Sequence, residues 1–331
     1  MSTQSKWSPW DGDDSSWDAK LIDTAEKNIY QSDCWAKHRA NFGWNCLRLV
    51  SPTNSGMAQV LFKAMPGITI AWIPGGPVGD LRLVDANLVK EIRNQTGDRP
   101  TYVRLNCMRS YELDHEQVFA TNRWKRVKSQ MSSGLSLHYS LQESESSRHK
   151  NLSANWARNL RRGEERNKSP YFLESIKVAE VIDLYKKMTE YKDLATASGL
   201  ISQEAISSLL TTCEKRLVAF RCDDENGNPL ALRAALVFGN KAWDILAAVS
   251  PQGRKLYSSY VTTWKLLNHC ADSGISGYDL SGVDPINNKG VYDFKHGTGA
   301  TELKYVGEWD FGAPSIVQPV VGRLLKYRRN L

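Results

Sequence analysis

The strongest chemical candidate in this sequence is a lysine that follows a phenylalanine shortly after a strand ending in glycine. The strand is predicted at Tyr278–Gly282, and Phe294 and Lys295 lie in the helical turn after the next loop. Small residues at a strand end let a substrate approach the backbone closely. A lysine beside aromatic rings can be held near a reacting carbonyl by a cation–π contact, where it stabilises the oxyanion of a tetrahedral intermediate. The pattern indicates acyl transfer, and the alternative is a surface turn whose lysine points into solvent.

A basic helix predicted at 153–166 is the second candidate. Arg158, Arg161 and Arg162 are spaced i, i+3 and i+4, so they fall on one helical face. Guanidinium groups arranged in this way can bind a diphosphate in a bidentate manner. Lys37 and Arg39 could add positive charge to the same site. The alternative is a solvated face whose charge is balanced by the two glutamates that follow in the helix.

The elements that must position these residues follow the same order in both halves of the chain. Each half shows a strand, a turn, two further strands, a Gly/Pro-rich turn, a helix and a last strand, ending near residue 106 and residue 282 respectively. A helix that crosses between two strands predicts a parallel pair in a mixed α/β sheet. The order resembles that of the acyltransferase fold called GNAT. We therefore expect an α/β protein of two tandem GNAT-like domains, 1–148 and 149–331, with a polar linker at 142–150.

Four motifs in the same order resemble those of the FemABX peptidyltransferases. They are QSDCWA at 31–36, WIPGGPV at 72–78, RNLRR at 158–162, and YDLSGV with GVYDFKHGTGATELKYVGEWD at 278–310. The resemblance implies an acceptor cleft in or beside the first domain and transfer chemistry on the second, with Lys295 catalytic and Phe294 as its platform. It also implies aminoacyl-tRNA as the donor and a UDP-sugar-peptide or a lipid-linked precursor as the acceptor.

Two positions bear on which substrates this chain uses. Gly75 stands where the FemABX pattern usually has a basic residue; if that residue touches acceptor phosphate in relatives, this contact is missing here and the acceptor is expected to differ. The turn 252–259 is where acyl-CoA-using GNAT domains cradle pyrophosphate with glycines at a helix N-terminus. Tyr257 replaces the first of these glycines, and its side chain would crowd the anion. Tyr257 is therefore expected to face a ligand other than CoA, although packing in the core is the simpler role for it and for Tyr260 and Trp264.

Composition limits the other classes of function. The chain has 331 residues, a net charge of +7 and 41% hydrophobic residues, and its mean hydropathy is −0.46. No apolar run reaches the roughly 18 residues of a membrane helix, so we expect a cytoplasmic protein without a transmembrane segment and with a peripheral membrane contact at most. The six cysteines form no CxxC motif and no Cys/His spacing resembles a zinc site, which predicts reduced thiols and no metal; no cofactor is expected either.

The sequence thus predicts an aminoacyltransferase that moves an amino acid from aminoacyl-tRNA to an amine of a cell-wall peptide precursor. An acyl-CoA-dependent N-acyltransferase acting on an amino sugar of a surface polysaccharide stays open as an alternative, because it would share the fold and most motifs. A non-catalytic GNAT-like binding module is a second alternative. The general base is not evident, although Asp279 and Asp293 are candidates. The oligomeric state is not predicted.

Overall fold

A computed structural model describes residues 7–51, 55–191 and 202–329. The strands are β1 (Ser8–Pro9), β2 (Asn45–Val50), β3 (Gly56–Met65), β4 (Ile68–Pro74), β5 (Val78–Gly79), β6 (Thr101–Ser110), β7 (Lys125–Arg126), β8 (Leu135–Ser140), β9 (Tyr171–Phe172), β10 (Leu217–Asp223), β11 (Pro229–Phe238), β12 (Lys241–Val249), β13 (Gly277–Gly282) and β14 (Thr301–Ala313). The helices are α1 (Asp14–Ile22), α2 (Asp33–Ala40), α3 (Ala86–Gln95), α4 (Leu113–Thr121), α5 (Glu145–Lys150), α6 (Ala154–Arg166), α7 (Val178–Tyr191), α8 (Gln203–Thr212), α9 (Pro251–Lys255), α10 (Ser258–Asp272), α11 (Lys289–His296) and α12 (Val317–Arg329). Within these ranges, no helix combines the length and the apolar character needed to cross a membrane.

The chain forms two compact units, and their limits differ from the expected domains 1–148 and 149–331. The first unit comprises residues 1–135 and 303–331, and the second comprises residues 136–302. The C-terminal residues join the first unit because β14 pairs antiparallel with β6 over Tyr305–Ala313. This pairing joins segments about two hundred residues apart, and local sequence patterns carry no signal for it.

The predicted linker at 142–150 is also not a linker. Most of it is α5, which belongs to the second unit. Arg148 is buried and donates to the side chain of Asn268 at 2.8 Å, while Glu145 accepts a hydrogen bond from the indole of Trp264 at 3.1 Å. The polar residues of this stretch suggested a linker because the residues that they bond lie more than one hundred positions away in the sequence.

The first unit contains a sheet in the order β1-β2-β3-β4-β6-β14. The β4 and β6 strands are parallel, as the crossover helix α3 requires, and the other pairs are antiparallel. One face of the sheet buries an apolar core against α3 and α4, with Leu88, Ile92 and Phe119 fully buried. The helix α12 packs over Tyr102 through Val317 and Val321.

Two of the motifs in the first unit meet in its interior. The buried amide of Gln31 donates to the carbonyl oxygen of Pro74 at 2.7 Å and accepts from the backbone N–H of Gln59 at 2.7 Å. Gly75 has φ +67°, and a Cβ there would lie 2.5 Å from the Asn28 side-chain oxygen. A larger residue at position 75 would therefore have to displace Asn28, which explains locally why this chain has glycine there.

The second unit contains a sheet in the order β8-β13-β12-β11-β10-β9. The β12 and β13 strands are parallel, and α10 makes the crossover between them. Helices α7 and α8 cover an apolar face that includes Leu232, Ala234 and Leu246. The helix α6 packs with α10 in a separate cluster around Trp156 and Trp264. Both units thus repeat the order of three strands, a helix and a strand, and the predicted internal duplication of a mixed α/β fold is confirmed.

Candidate active site

The second unit contains a cavity of ≈ 920 Å³ beside the strand β12. The pairing of β12 with β13 covers 241–243 and 277–279. Ile245 is an extra residue in β12, because its two neighbours pair with consecutive residues of β11. Residues 244–249 line the cavity directly after this pairing. The bulge and the end of the β12–β13 pairing therefore leave an open stretch of strand where a ligand can approach the backbone.

Phe294 and Lys295 line this cavity from α11, as residues of a helix that the sequence predicted as an aromatic-rich turn. The Lys295 ammonium donates to the carbonyl oxygens of Ser281 at 3.4 Å and Gly282 at 3.3 Å. The Phe294 ring packs edge-on against Tyr260, 5.0 Å between centroids, and Arg233 lies 5.5 Å from the Phe294 ring centre. Lys295 is thus held by backbone carbonyls at the end of β13, while Phe294 packs in an aromatic cluster and has Arg233 against its ring, where the predicted platform would place Lys295.

Burial lowers the pKa of Lys295 below the usual value of a lysine, and the positive charge of Arg233 acts in the same direction. The negative charges of Asp244 and Asp279 oppose this shift. The residue is half-buried and reaches the cavity, so its ammonium group is available to a bound substrate. A partly desolvated cation is a stronger partner for a developing oxyanion than one in water.

Ser281 connects the elements that hold the lysine. It has φ +64°, in the left-handed region, and its backbone N–H donates to the Asp279 carboxylate at 2.7 Å. Its hydroxyl donates to the carbonyl oxygen of Asp244, and its own carbonyl oxygen accepts from Lys295. One residue therefore ties the end of β13 to β12 and to α11. A non-glycine residue in this conformation is maintained by such contacts, and it is typical of functional sites.

A buried ion pair forms part of the cavity wall, and the sequence analysis did not identify it. Arg233 donates to both carboxylate oxygens of Asp244, at 2.9 and 2.7 Å. Thr263 accepts a further bond from Arg233 at 3.0 Å, and the Tyr278 hydroxyl donates to Asp244 at 3.2 Å. Its sequence signal was an arginine in the middle of β11 and an aspartate in the middle of β12, two strands that are otherwise apolar apart from Lys241 at the start of β12. Such residues are paired when buried, because an isolated buried charge is very costly.

Tyr257 lies at the N-terminus of α10 and lines the cavity. It has φ +60°, which places the aromatic side chain in the turn where the GNAT pattern has glycine. The side chains of Arg162 and Arg166 lie 5.8 and 5.5 Å from its ring centre. Tyr260 also lines the cavity, whereas Trp264 packs in the α6–α10 core. The predicted aromatic row is therefore divided between cavity and core.

The basic helix α6 approaches α10 closely because position 163 is glycine. A Cβ at Gly163 would lie 3.0 Å from the Tyr257 carbonyl oxygen and 2.9 Å from Val261. Asn167 reinforces this approach, since its side chain donates to the carbonyl oxygen of Leu256 at 2.7 Å. The consequence is that Arg162 reaches the cavity wall and lies 3.4 Å from the Tyr257 hydroxyl oxygen.

Arg158 and Arg161, which were expected to share a phosphate-binding face with Arg162, are both exposed. Arg158 donates to the side chain of Asn155, and Arg161 lies 3.8 Å from the carboxylate of Glu165. The structure thus divides the predicted triad, with Arg162 directed at Tyr257 and the other two engaged along their own helix.

Lys37 and Arg39 belong to the first unit. Lys37 is exposed and forms ion pairs with Asp33 at 2.6 Å and Asp14 at 3.3 Å. Arg39 is half-buried, and its guanidinium lies 5.5 Å from the ring centre of Trp72. Burial lowers the pKa of Arg39, and the Nε atom is buried without a hydrogen-bond partner. Lys37 is thus engaged by carboxylates, while Arg39 packs in an aromatic cluster.

The two carboxylates considered as general bases do not reach the cavity. Asp279 is buried and bonded to Ser136 and Ser281, and Asp293 is exposed and paired with Lys289 at 2.7 Å. Neither is among the described residues that line the cavity. The described ranges also contain no cluster of His, Cys, Asp or Glu that could hold a metal ion.

The duplicated mixed sheets, with a cavity beside a bulged strand in the second unit, define a protein with a tandem GNAT-like fold. The crystal structure of FemX has a TM-score of 0.78 and 14% identity, covering 92% of this chain and 96% of that one. A tandem GNAT protein from the clavulanic acid biosynthesis pathway has a TM-score of 0.57 and 10% identity, covering 93% and 98%. A conserved protein of unknown function from Bacteroides thetaiotaomicron VPI-5482 has a TM-score of 0.59 and 10% identity, covering 91% and 98%. At these identities the comparisons show the fold.

A family model also matches part of the sequence. Residues 197–320 match the model of the FemAB family, so this part of the chain is similar to that family, in agreement with the resemblance that the motifs predicted. The matched residues include β10 to β13, α11 and the residues that line the cavity, Lys295 among them, apart from Tyr185 and Met188. No curated protein sequence matches the chain significantly. Family and fold together support an acyltransferase.

Proposed function

We propose that this protein is an aminoacyltransferase that moves an amino acid from aminoacyl-tRNA to an amine of a cell-wall peptide precursor. The observation that carries the proposal is the position of Lys295, half-buried in the cavity wall and held by the carbonyl groups of Ser281 and Gly282. This arrangement provides a fixed positive charge in a partly dry cavity. The match of residues 197–320 to the FemAB family supports this class of donor and acceptor.

The proposed reaction is aminolysis of an ester. The acceptor amine attacks the carbonyl carbon of the aminoacyl ester, a C–N bond forms, and the bond to the ribose oxygen of tRNA breaks. The proton lost by the amine is gained overall by the ribose oxygen. Lys295 stabilises the negative charge that develops on the carbonyl oxygen or on the leaving oxygen. No covalent enzyme intermediate is needed, because the ester is already activated and orientation supplies much of the rate.

The surroundings of Tyr257 support a phosphate-rich donor other than CoA. Arg162 and Arg166 flank its ring, and Arg254 lines the same cavity. The left-handed Tyr257 fills the turn in which a CoA pyrophosphate would need free backbone N–H groups. In the proposal these arginines contact donor or acceptor phosphates at the cavity mouth, and the protein acts in the cytoplasm, where aminoacyl-tRNA is found.

A donor test decides between this function and the acyl-CoA alternative. Purified protein is mixed with radiolabelled aminoacyl-tRNA and a UDP-muramoyl-pentapeptide, with and without RNase, and in parallel with acetyl-CoA and an amino sugar. The proposal predicts RNase-sensitive transfer of label to the peptide. Release of free thiol from acetyl-CoA with acylation of the amino sugar, and no transfer from tRNA, would overturn it in favour of the polysaccharide acyltransferase. A protein inactive with both donors would favour the binding module.

A further inference from the structure

The helix α12 has an apolar face that packs on its own unit. Val317 and Val321 are buried against Tyr102, and Leu325 is partly buried with them. These three helical positions are spaced by four residues, so they form one stripe along the helix. The stripe fixes α12 to the sheet of the first unit and determines which side of the helix faces outward.

A second apolar row lies beside this stripe and is exposed. Ile316, Val320 and Leu324 are 65%, 49% and 61% exposed, and they too are spaced by four residues. Met65 is 48% exposed and is the cross-strand partner of Ile68, which packs beneath α12. We call these four exposed side chains the α12 patch. Single exposed aliphatic residues are common, whereas a row of them on one surface marks an interaction site.

The charge of the segment around the patch is entirely positive. Residues 314–331 contain Arg323, Lys326, Arg328 and Arg329 and no aspartate or glutamate. Arg323 is exposed and lies on the helix directly before Leu324 of the patch. An apolar row bordered by basic residues on a surface helix is the pattern that binds the interface of an anionic membrane.

We propose that the α12 patch docks this protein on the surface of a bilayer that contains anionic phospholipid. The helix lies parallel to the membrane plane, with Ile316, Val320 and Leu324 in the boundary between headgroups and acyl chains. Arg323 extends its guanidinium to the lipid phosphates. A second copy of the chain is a poorer partner, because two positively charged segments would repel each other. The proposal is independent of the enzymatic function, since it concerns a surface of the first unit alone.

Vesicle co-sedimentation of the full chain tests the proposal. The vesicles are phosphatidylcholine alone or an equimolar mixture of phosphatidylcholine and phosphatidylglycerol. The wild-type chain should sediment with the anionic vesicles, and raising the salt from about 0.1 M to about 1 M should weaken the binding because the Debye length falls from about 10 Å to about 3 Å. Arg323→Gln should lower the partition coefficient about five-fold, as expected for one basic residue near an anionic surface.

The apolar contribution is tested with the triple variant I316S, V320S and L324S. Its partition coefficient should fall by more than about ten-fold, because each side chain loses apolar surface that would be buried. The matched control is Leu113→Ser, since Leu113 is 78% exposed on α4 and lies outside the patch. Thermal unfolding confirms that each variant is folded.

Two results would overturn the proposal. One is sedimentation of the triple variant with anionic vesicles as strong as that of wild type. The other is a wild-type chain that binds neither vesicle type but forms a dimer that the triple variant abolishes, which would assign the patch to a second copy of the chain.

Discussion

The ammonium nitrogen of Lys295 lies 3.4 Å from the carbonyl oxygen of Ser281, a residue in the left-handed backbone conformation. The same serine donates its hydroxyl to the carbonyl oxygen of Asp244. The lysine is therefore positioned by the shape of the backbone at the end of β13. Neutral carbonyl groups hold the ammonium at the cavity. The ammonium can exchange these hydrogen bonds for one to a substrate oxygen.

The alkaline limb of the pH–rate profile should report the lowered pKa of Lys295. Burial lowers this pKa, and the protonated form is the one that stabilises an oxyanion. As the pH is raised, the transfer rate should therefore begin to fall before the pH reaches about 10.4, the ordinary pKa of lysine. Phe294→Ala removes an aromatic ring from the same cavity wall and should admit water there, so the alkaline limb of this variant should move to higher pH. Single-turnover rates corrected for spontaneous ester hydrolysis measure both. If the alkaline limb of the wild-type profile lay at the ordinary pKa of lysine, the assignment of this limb to Lys295 would be contradicted.

The same burial predicts a cost in stability. Because the pKa of Lys295 is lower in the folded state, the unfolded state binds the proton more strongly and the charged lysine disfavours folding at neutral pH. This cost decreases as the pH rises from the lowered pKa of Lys295 in the folded state toward its higher pKa in the unfolded state. Lys295→Met should thus unfold in urea with a free energy equal to or above that of wild type at neutral pH.

The control for that experiment is Lys289→Met on the same helix. Lys289 is exposed and pairs with Asp293 at 2.7 Å, so its replacement should lower the free energy of unfolding by at most about 1 kcal/mol. A large loss of stability in Lys295→Met, with none in the control, would show that Lys295 is structural.

The arginines of α6 should contribute unequally to substrate binding. Arg162 lies against Tyr257 at the cavity wall, whereas Arg158 and Arg161 are engaged along the helix. Arg162→Gln should raise KM for the phosphate-bearing substrate about ten-fold, since a charge-assisted hydrogen bond contributes about 1.5 kcal/mol or more. Arg158→Gln and Arg161→Gln serve as matched controls with small effects. Equal effects of all three would restore the phosphate-binding face that the sequence suggested.

Gly75 should be far less tolerant of substitution than Gly67. Both have a left-handed backbone, at φ +67° and +77°, so alanine costs about 1–2 kcal/mol at either position. At Gly75 the new Cβ also meets Asn28 at 2.5 Å, whereas nothing lies within 4 Å at Gly67. Overpacking adds about 1–3 kcal/mol. Urea unfolding of the two alanine variants measures the difference, and equal losses would show that Asn28 moves freely.

Local patterns were sufficient to predict the repeated order of strands and helices. The turn residues and strand-length apolar runs placed β10 to β13 and α10, and the Phe294–Lys295 turn was predicted as helical. These features depend on neighbours within a few residues. The same holds for α6, whose basic composition is visible in the sequence.

Long-range relationships could not be predicted. The return of β14 to β6 joins segments about two hundred residues apart, and the ion pair of Arg233 with Asp244 depends on the register of two strands. The division of the α6 arginines arises from the close approach at Gly163, which requires knowing that α10 is the neighbour. Each of these required the three-dimensional pairing; the first changes the limits of the two units, and the other two change the description of the site.

The most direct measurement is the single-turnover rate of transfer from aminoacyl-tRNA to the peptide precursor for wild type, Lys295→Ala and Lys289→Ala. The two lysines lie on the same helix, but Lys295 lines the cavity and Lys289 pairs with Asp293 in solvent. Removal of an oxyanion-stabilising group should lower the rate by about 100- to 1,000-fold in Lys295→Ala, with Lys289→Ala unchanged. A Lys295→Ala enzyme that keeps the wild-type rate would contradict the account.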